Sequence, residues 1–230
     1  MKFAIFSDIH GNIYALRAML NQLKDSDLMG YIFCGDIMGY FPHQKQVIEC
    51  LKKIPNLYSV MGNHDFYYIN SRNDHRKQAL YAKQYGRNYL NILTDSQLRY
   101  LTNLPAMQKF QYKETKVLVV HGAVGNCLEG RIYPDTSIRW EQYKMYNLVI
   151  LGHTHYRMYA KNGETVVINP GSLGQPRDFN GYSYCVVDVE TQKAEFLKVE
   201  IDENQLLKDL VDNGEDKTLI SYLKSKMEGI

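Results

Sequence analysis

The chain has 230 residues, of which 45% are hydrophobic and 23% are charged, and its formal net charge is +2. This length suits one domain with a substantial core, and the nearly balanced charge, without a long basic run, argues against a nucleic-acid-binding surface. No apolar stretch approaches the ~20 residues that a membrane-spanning helix needs, so the composition also argues against a membrane protein.

The N-terminal part of the chain alternates between strand-like and helix-like patterns. Short apolar runs predict strands at residues 2–6, 31–34 and 57–60. Apolar residues at helical spacing predict one helix capped by Asn12 and a second that opens at Pro42. This β-α-β-α-β order is typical of a parallel sheet with crossover helices, which places the chain in the α/β class. The first strand is entered directly, without a charged leader or cleavage site, and we therefore expect a cytoplasmic protein.

The stretch at about 66–104 contains no strand-like run and predicts two or three helices. Thr94 and Gln97 resemble a capping box for the last of them. The stretch is rich in tyrosine, and these rings either pack the helices against the sheet or, in one or two cases, stack on a substrate base. The tyrosines are Tyr67, Tyr68, Tyr81, Tyr85, Tyr89 and Tyr100.

The second half of the chain has a mainly strand-like pattern. A hairpin is predicted around residues 113–114, and the loop at 122–135 is either a candidate rim or lid for a site or an ordinary connection. A short helix at 137–145, a strand at 148–151 and four antiparallel strands at 157–161, 165–169, 182–189 and 194–201 are predicted to follow. Two amphipathic helices at about 203–228 close the chain. We expect a single domain over 1–230, whose last helices dock on their own sheet or on a second copy in a homo-oligomer.

Polar side chains follow five of the apolar runs directly, at the points where the strands end. They are Asp8, His10, Asp36, Asn63, His64, His121, His153 and His155. Because ligands bind outside the carboxyl ends of strands in open α/β sheets, we expect these side chains to meet. One such residue would be weak evidence, since isolated histidines are usually structural, and we interpret His43 and His75 in that way. Five repeats of the pattern favour a shared site.

The residue types in these clusters indicate divalent metal ions. Asp, His and Asn suit borderline or hard cations, and the four cysteines are too dispersed for a zinc–cysteine site. Asp8 with His10, and His153 with His155, are spaced i, i+2 and would point the same way in an extended segment. Seven ligands exceed what one ion with a bound water needs, but they fit two ions roughly 3.5–4 Å apart that share a carboxylate. A single-metal hydrolase with some structural histidines is the alternative.

His64 is predicted to act beside the metal ions. Adjacent residues diverge, so if Asn63 binds metal then His64 reaches elsewhere. A histidine in that place can protonate the departing oxygen as a general acid. Asp65 can hold the His64 imidazole in orientation.

Three further residues are candidate substrate contacts. Arg177 is the best of them, because a guanidinium suits bidentate phosphate binding. Asn12 and Tyr40 are candidates for the rim of the site. Each has an equally good structural interpretation: Arg177 as a surface arginine, Asn12 as a helix cap and Tyr40 as a packing ring.

The motifs D-x-H, G-D, G-N-H-D, H-G and G-H-T-H, in this order and at these strand ends, resemble those of the calcineurin-like metallophosphoesterase superfamily. The resemblance runs from Met1 to about Val189. It implies a four-layer α-β-β-α sandwich with two facing mixed sheets, a catalytic role for His64 and a bridging role for Asp36. By position it assigns Asp8, His10, Asp36 and His155 to one metal, and Asp36, Asn63, His121 and His153 to the other.

The segment NPGSLGQPRD at 169–178 is similar to that of small prokaryotic members described as phosphodiesterases or diadenosine-tetraphosphatase-like. The arginine and glutamate that protein phosphatases carry after the corresponding turns are absent from GDIMGY and GNHD, which disfavours a protein phosphatase. The resemblance implies hydrolysis of a small phosphomonoester, phosphodiester or dinucleoside polyphosphate by a hydroxide held by two divalent ions. Manganese is expected first, with iron, zinc, nickel or cobalt as alternatives.

A catalytically silent scaffold on the same fold, like the small subunit of retromer, is the rival hypothesis from another class. A scaffold of that kind tends to lose metal ligands or the general acid. This sequence keeps all seven predicted ligands and His64, which favours an enzyme.

Overall fold

The computed structural model describes residues 1–85, 90–178, 181–214 and 217–228, and within them ten strands and seven α-helices are formed. The strands are β1 (Lys2–Phe6), β2 (Gly30–Phe33), β3 (Leu57–Ser59), β4 (Met107–Tyr112), β5 (Thr115–Val120), β6 (Leu148–Ile150), β7 (Arg157–Asn162), β8 (Thr165–Pro170), β9 (Ser183–Asp188) and β10 (Ala194–Lys198). The helices are α1 (Ile13–Leu23), α2 (Gln44–Leu51), α3 (Asn63–Ser71), α4 (His75–Tyr85), α5 (Asp95–Thr102), α6 (Glu203–Asp212) and α7 (Lys217–Glu228). Across these ranges no helix is both long and apolar enough to cross a bilayer.

The first sheet has the strand order β10-β9-β1-β2-β3. Strands β1, β2 and β3 are parallel, with α1 and α2 as their crossover connections, which confirms the predicted β-α-β-α-β unit. Strand β9 runs antiparallel to both β1 and β10. The carboxyl ends of β1, β2 and β3 therefore lie at one edge of this sheet.

The second sheet has the order β4-β5-β6-β8-β7. Strands β5, β6 and β8 are parallel, and the edge strands β4 and β7 are antiparallel to their neighbours. The hairpin of β4 and β5 is confirmed. The four later strands were predicted to be antiparallel, but they divide between the two sheets, and β8 also pairs in parallel with β6.

Apolar residues on both faces of each sheet hold the layers together. In β1, Phe3 and Ile5 face the second sheet, whereas Ala4 and Phe6 face the helices, as expected for a strand covered on both sides. The core between the sheets also includes Ile32, Cys34, Val117, Val119, Leu148 and Ile150. Two facing mixed sheets with outer layers confirm the predicted sandwich.

The layer over the second sheet differs from the prediction in one respect. The predicted helix at 137–145 is a single 3₁₀ turn at Trp140–Gln142 within an otherwise irregular segment. The apolar residues Ile138, Trp140 and Tyr143, which pack on the sheet, are spaced by two and three positions and do not form one face of an α-helix. Helix α2 also begins at Gln44 and not at Pro42.

The last two helices dock on their own chain. Leu206 and Leu210 of α6 and two leucines of α7 form an apolar cluster with Phe41, which follows β2. The Asp209 carboxylate accepts a hydrogen bond from the Tyr14 hydroxyl at 2.6 Å and pairs with His43 Nε2 at 2.9 Å. The structural interpretation of His43 agrees with this contact.

Candidate metal centre

The seven predicted ligands and His64 lie together at the carboxyl ends of β1, β2, β3, β5 and β6. Three groups of side chains have ligand atoms within 4.8 Å of one another. They are Asp8 with His10 and His155, Asp36 with His121 and His153, and His10 with Asp36 and His64. Asn63 joins the second group, because its Oδ1 lies 2.9 Å from His121 Nε2. The first group holds three of the four residues that the family resemblance assigned to one metal, without Asp36, and the second with Asn63 holds the four assigned to the other.

Strained backbone turns aim these side chains. Five of the predicted ligands have a left-handed φ: Asp8 at 53°, His10 at 49°, Asp36 at 67°, His153 at 68° and His155 at 64°. Non-glycine residues in this region cost of order 1–3 kcal/mol each and concentrate at functional sites. The i, i+2 pairs therefore converge through tight turns, and the expectation of extended segments is wrong. Hydrogen bonds from Asp8 N to Gly35 O and from His10 N to Asp36 O, both 3.0 Å, hold two of these turns together.

Backbone carbonyls fix the orientation of three imidazole rings. In His10, His121 and His155, Nδ1 lies at hydrogen-bonding distance from a carbonyl oxygen, and because a carbonyl only accepts, Nδ1 carries the proton. The acceptors are Met38, Cys34 and Gln175, at 2.7, 2.7 and 2.6 Å. The Nε2 atoms then point into the cluster, where those of His10 and His155 lie only 3.1 Å apart. Two opposed lone pairs at that distance need a proton or a cation between them.

The two aspartates each keep one oxygen for a cation. Asp36 Oδ1 accepts the backbone N–H of His64 at 2.9 Å, and Asp8 Oδ2 accepts that of His153 at 3.1 Å. Their other oxygens, Asp36 Oδ2 and Asp8 Oδ1, are buried and accept no hydrogen bond within the described part of the chain. A buried carboxylate oxygen that accepts no hydrogen bond is costly, so the residues present fit a bound metal ion.

The surrounding imidazoles keep both carboxylates ionised. Burial alone raises the pKa of a carboxyl group, but the nearby rings outweigh it. They hold the pKa of Asp36 well below its usual range and that of Asp8 at about 2. Asp36 Oδ2 lies 3.3 Å from His121 Nε2 and 3.7 Å from His10 Nε2, so it stands between the two groups of ligands.

The histidines differ in charge. Burial disfavours the charged form of His121, but the two carboxylates outweigh burial and raise its pKa to about 9. For three other rings burial prevails: it lowers the pKa of His64 and His153 to about 4 and that of His10 well below its usual value. These three rings are neutral at pH 7 and have a lone pair to donate to a cation.

Asp65 does not orient His64, contrary to the prediction. Its two carboxylate oxygens accept backbone N–H groups of Asp36, Ile37, Met38 and Gly62, at 2.9–3.1 Å. It is the third residue of α3, from which its side chain turns back to the helix start at Gly62 and to the turn after β2. Burial, and then the charge of Asp36, raise its pKa to about 7. Asp65 therefore joins the turn that carries Asp36 to the helix that carries His64.

His64 lies at the edge of the cluster. Its Nε2 is 3.9 Å from Asp36 Oδ2, and its ring contacts those of His10 and Tyr40 at centroid distances of 4.6 and 5.3 Å. Since His64 can reach a position shared with His10 and Asp36, the distances permit a ligand role as well as the predicted role beside the metal ions.

The three predicted substrate contacts have different surroundings. The Tyr40 ring packs edge-on against His10 at 4.7 Å. Burial raises the pKa of the Tyr40 hydroxyl, and the neighbouring Arg177 guanidinium partly opposes this rise. Asn12 is fully buried, and its Oδ1 accepts the N–H of Ala15 at 3.1 Å. Of its two interpretations, the helix cap is therefore the one that the structure supports.

Arg131 was not identified from the sequence. Its Nε donates a hydrogen bond to Nε2 of His153 at 3.0 Å. It lies in the loop that was predicted as a candidate rim, but no motif distinguished it from the other arginines.

The tyrosines of the helical stretch divide between the two interpretations. Tyr68 and Tyr81 are buried in the core. The Tyr67 ring is 37% exposed and lies 6.5 Å from the His64 ring, so it faces the cluster. Tyr85 and Tyr89 lie outside the residues whose side chains the structure describes.

Comparisons with known proteins agree with this arrangement. The profile of the calcineurin-like phosphoesterase superfamily domain matches residues 1–192, which include every candidate site residue but not α6 and α7. An uncharacterized protein of Methanocaldococcus jannaschii, MJ0912, is 29% identical over an alignment of 232 positions, which covers 91% of this chain and 92% of that protein. Phosphodiesterase MJ0936 of the same organism is 26% identical over 172 residues, covering 74% and 83%.

The same similarity extends to solved structures. A metallophosphoesterase from Sphaerobacter thermophilus matches with a TM-score of 0.79 at 25% identity, over 98% of this chain and 99% of that chain. The resemblance and the fold predicted from the sequence motifs are thus confirmed.

Proposed function

Since the chain belongs to the calcineurin-like phosphoesterase superfamily, we propose that it is a metal-dependent hydrolase of a small phosphoester, with phosphodiesters as the first candidates. The relative that is named as a phosphodiesterase supports this choice. One structural observation carries the proposal. Two buried, ionised carboxylates each have one oxygen that accepts no hydrogen bond, and these oxygens are surrounded by histidine nitrogens. Such a group of ligands has little use without a cation.

We propose that the site holds two divalent ions, manganese in the first place and iron, zinc, nickel or cobalt otherwise. Asp8, His10 and His155 would hold one ion, Asn63, His121 and His153 the other, and Asp36 would serve both. When bound, such ions would supply positive charge to phosphate oxygens and lower the pKa of water.

The chain's own residues would complete the reaction. His64 would give a proton to the departing oxygen, and Tyr40 and Arg177 would contact the substrate from the rim. Asp65 would keep Asp36 and His64 in register through its four backbone contacts. The substrate is a small phosphorylated molecule: a phosphodiester, a phosphomonoester or a dinucleoside polyphosphate.

The scaffold alternative is weaker on structural grounds. A protein that had lost its metal chemistry would gain nothing from five strained backbone positions around unpaired carboxylate oxygens.

The activity has a direct test. We expect protein stripped with a chelator to be inactive and to hydrolyse bis-p-nitrophenyl phosphate when Mn²⁺ is restored. A panel of nucleotides, dinucleoside polyphosphates and simple diesters, assayed with each of the candidate metals, would then identify the preferred class. Binding of metal without turnover of any member of the panel would instead support a scaffold. A metal content of one ion per chain in the active enzyme would contradict the two-metal site.

Gly39 provides a prediction about the positioning of His64. It has a φ of +101°, and a Cβ there would lie 2.6 Å from His64 Nδ1 and 3.1 Å from His10 Nδ1. We expect Gly39→Ala to displace both rings and to lower kcat/KM on the order of 10²-fold, because small misplacements at a reacting centre are that costly. Gly125→Ala is the control, since Gly125 has a φ of +86° and no atom within 4 Å of its added Cβ. If kcat/KM falls equally in the two variants, the effect of Gly39→Ala is due to backbone strain alone.

A further inference from the structure

The position of Arg131 is fixed by its neighbours in the chain. On one side, Gly130 N donates to Asn126 O at 3.0 Å, and a Cβ on Gly130 would lie 2.6 Å from that of Ala123. On the other side, Ile132 is buried in the apolar cluster over the second sheet. The backbone is thus anchored before and after Arg131, while its side chain is exposed and reaches the candidate metal centre.

The contact between Arg131 and His153 is unusual for an arginine. A guanidinium is always protonated and has no acceptor, so in this bond Nε2 of His153 must offer its lone pair. Among the residues that the structure describes, Arg131 forms no ion pair with a carboxylate. Arg157, by comparison, pairs with Asp178 at 3.1 Å. Arg131 therefore carries a positive charge at the site without a negative partner.

Metal binding by His153 would break this hydrogen bond whichever nitrogen is used. If Nε2 binds the ion, its lone pair is no longer available to Arg131. If Nδ1 binds, the neutral ring carries its proton on Nε2, which then cannot accept. A divalent ion nearby would also repel the guanidinium, unless an anion lies between them.

We propose that Arg131 binds the phosphate group of the substrate once metal binding has released its guanidinium from His153, a role that rests on the proposed function. The planar guanidinium forms paired hydrogen bonds with phosphate oxygens, and the substrate supplies the negative charge that the site otherwise lacks. In the metal-free protein Arg131 thus contacts His153, and in the metal-loaded protein it contacts the phosphate group of the substrate.

Binding of inorganic phosphate to Mn²⁺-loaded protein, measured by titration calorimetry, tests this role without turnover. We expect Arg131→Met to weaken phosphate binding about 10- to 100-fold, as for the loss of a hydrogen bond to a charged group. Arg131→Lys should lie between parent and Arg131→Met, because it keeps the charge but not the paired geometry. Arg139→Met, an exposed arginine on the same segment, should match the parent. In the hydrolysis assay, Arg131→Met should raise KM more than it lowers kcat.

A second titration separates phosphate binding from support of His153. Without phosphate, stripped Arg131→Met should bind Mn²⁺ at least as tightly as the parent, because the competing hydrogen bond is gone. Parent-like phosphate affinity in Arg131→Met, or a loss of Mn²⁺ affinity as large as the loss of phosphate affinity, would overturn the proposal. So would a parent protein that binds no Mn²⁺. A parent that binds Mn²⁺ and, through Arg131, phosphate, but hydrolyses no phosphoester, would refute the proposed function and leave this inference standing.

Discussion

Replacing Asp36 with asparagine is expected to disturb both of the proposed metal ions and to lower kcat by about 10³-fold, the equivalent of several kcal/mol of lost charge stabilisation. Asp36 Oδ2 is the buried oxygen that lies between His10 and His121. Asp36 belongs to two of the three groups of ligands, one with His121 and one with His10. An amide is neutral, so it would remove the negative charge that faces His121, and its N–H donors cannot bind a cation. The amide oxygen can still accept the N–H of His64, so the turn itself should persist.

Asp8→Asn is the matched control for this variant. Asp8 is also a buried aspartate with one unpaired oxygen, but it belongs to only one of the groups. Metal analysis after equilibrium dialysis should find both ions depleted in Asp36→Asn and one depleted in Asp8→Asn, with similar thermal unfolding midpoints for the two proteins. Loss of a single ion in Asp36→Asn would argue against a shared carboxylate.

The positions of the site residues were predictable because two local patterns coincide. A run of four to six apolar residues marks a buried strand, and the polar residue that follows marks its end. In a parallel unit such as β1-β2-β3 the ends share one edge, so Asp8, Asp36 and Asn63 had to approach one another. The same pattern predicted that the ends of β5 and β6 would contribute, but their placement in a facing sheet came from the family resemblance, because sheet pairing depends on contacts remote in sequence.

What the sequence could not give was the direction of individual side chains. The left-handed turns at Asp8 and His10 are imposed by hydrogen bonds to the turn after β2, almost thirty residues away. For the same reason, Asp65 appeared to be a partner of the adjacent His64, whereas its helix position turns it toward Asp36. Arg131 and His153 are 22 positions apart with β6 between them, and no spacing rule connects the two residues.

Replacing His64 with alanine is the second large effect that we expect: a fall in kcat of about 10²–10⁴-fold, the usual contribution of a positioned acid or base. Its Nε2 lies 3.9 Å from Asp36 Oδ2, and its ring contacts that of Tyr40 at the edge of the cluster. Burial lowers its pKa to about 4 when neither metal nor substrate is bound, so the ring is neutral at pH 7. His64 can therefore carry the proton of a general acid only where the negative charge of the bound phosphoester outweighs the positive charge of the metal ions.

The leaving group distinguishes this role from that of a metal ligand. A phenyl phosphoester releases phenolate, which resembles the tyrosine side chain and has a pKa of about 10. Its departure therefore depends on protonation far more than the departure of p-nitrophenolate does. The rate loss in His64→Ala should therefore be larger for the phenyl ester, while the metal content stays at the parent level. His75→Ala, which changes an exposed histidine at the start of α4, should leave both rates unchanged. If His64→Ala loses metal, or slows both esters equally, then His64 serves as a ligand in the group with His10 and Asp36, as the observed distances also permit.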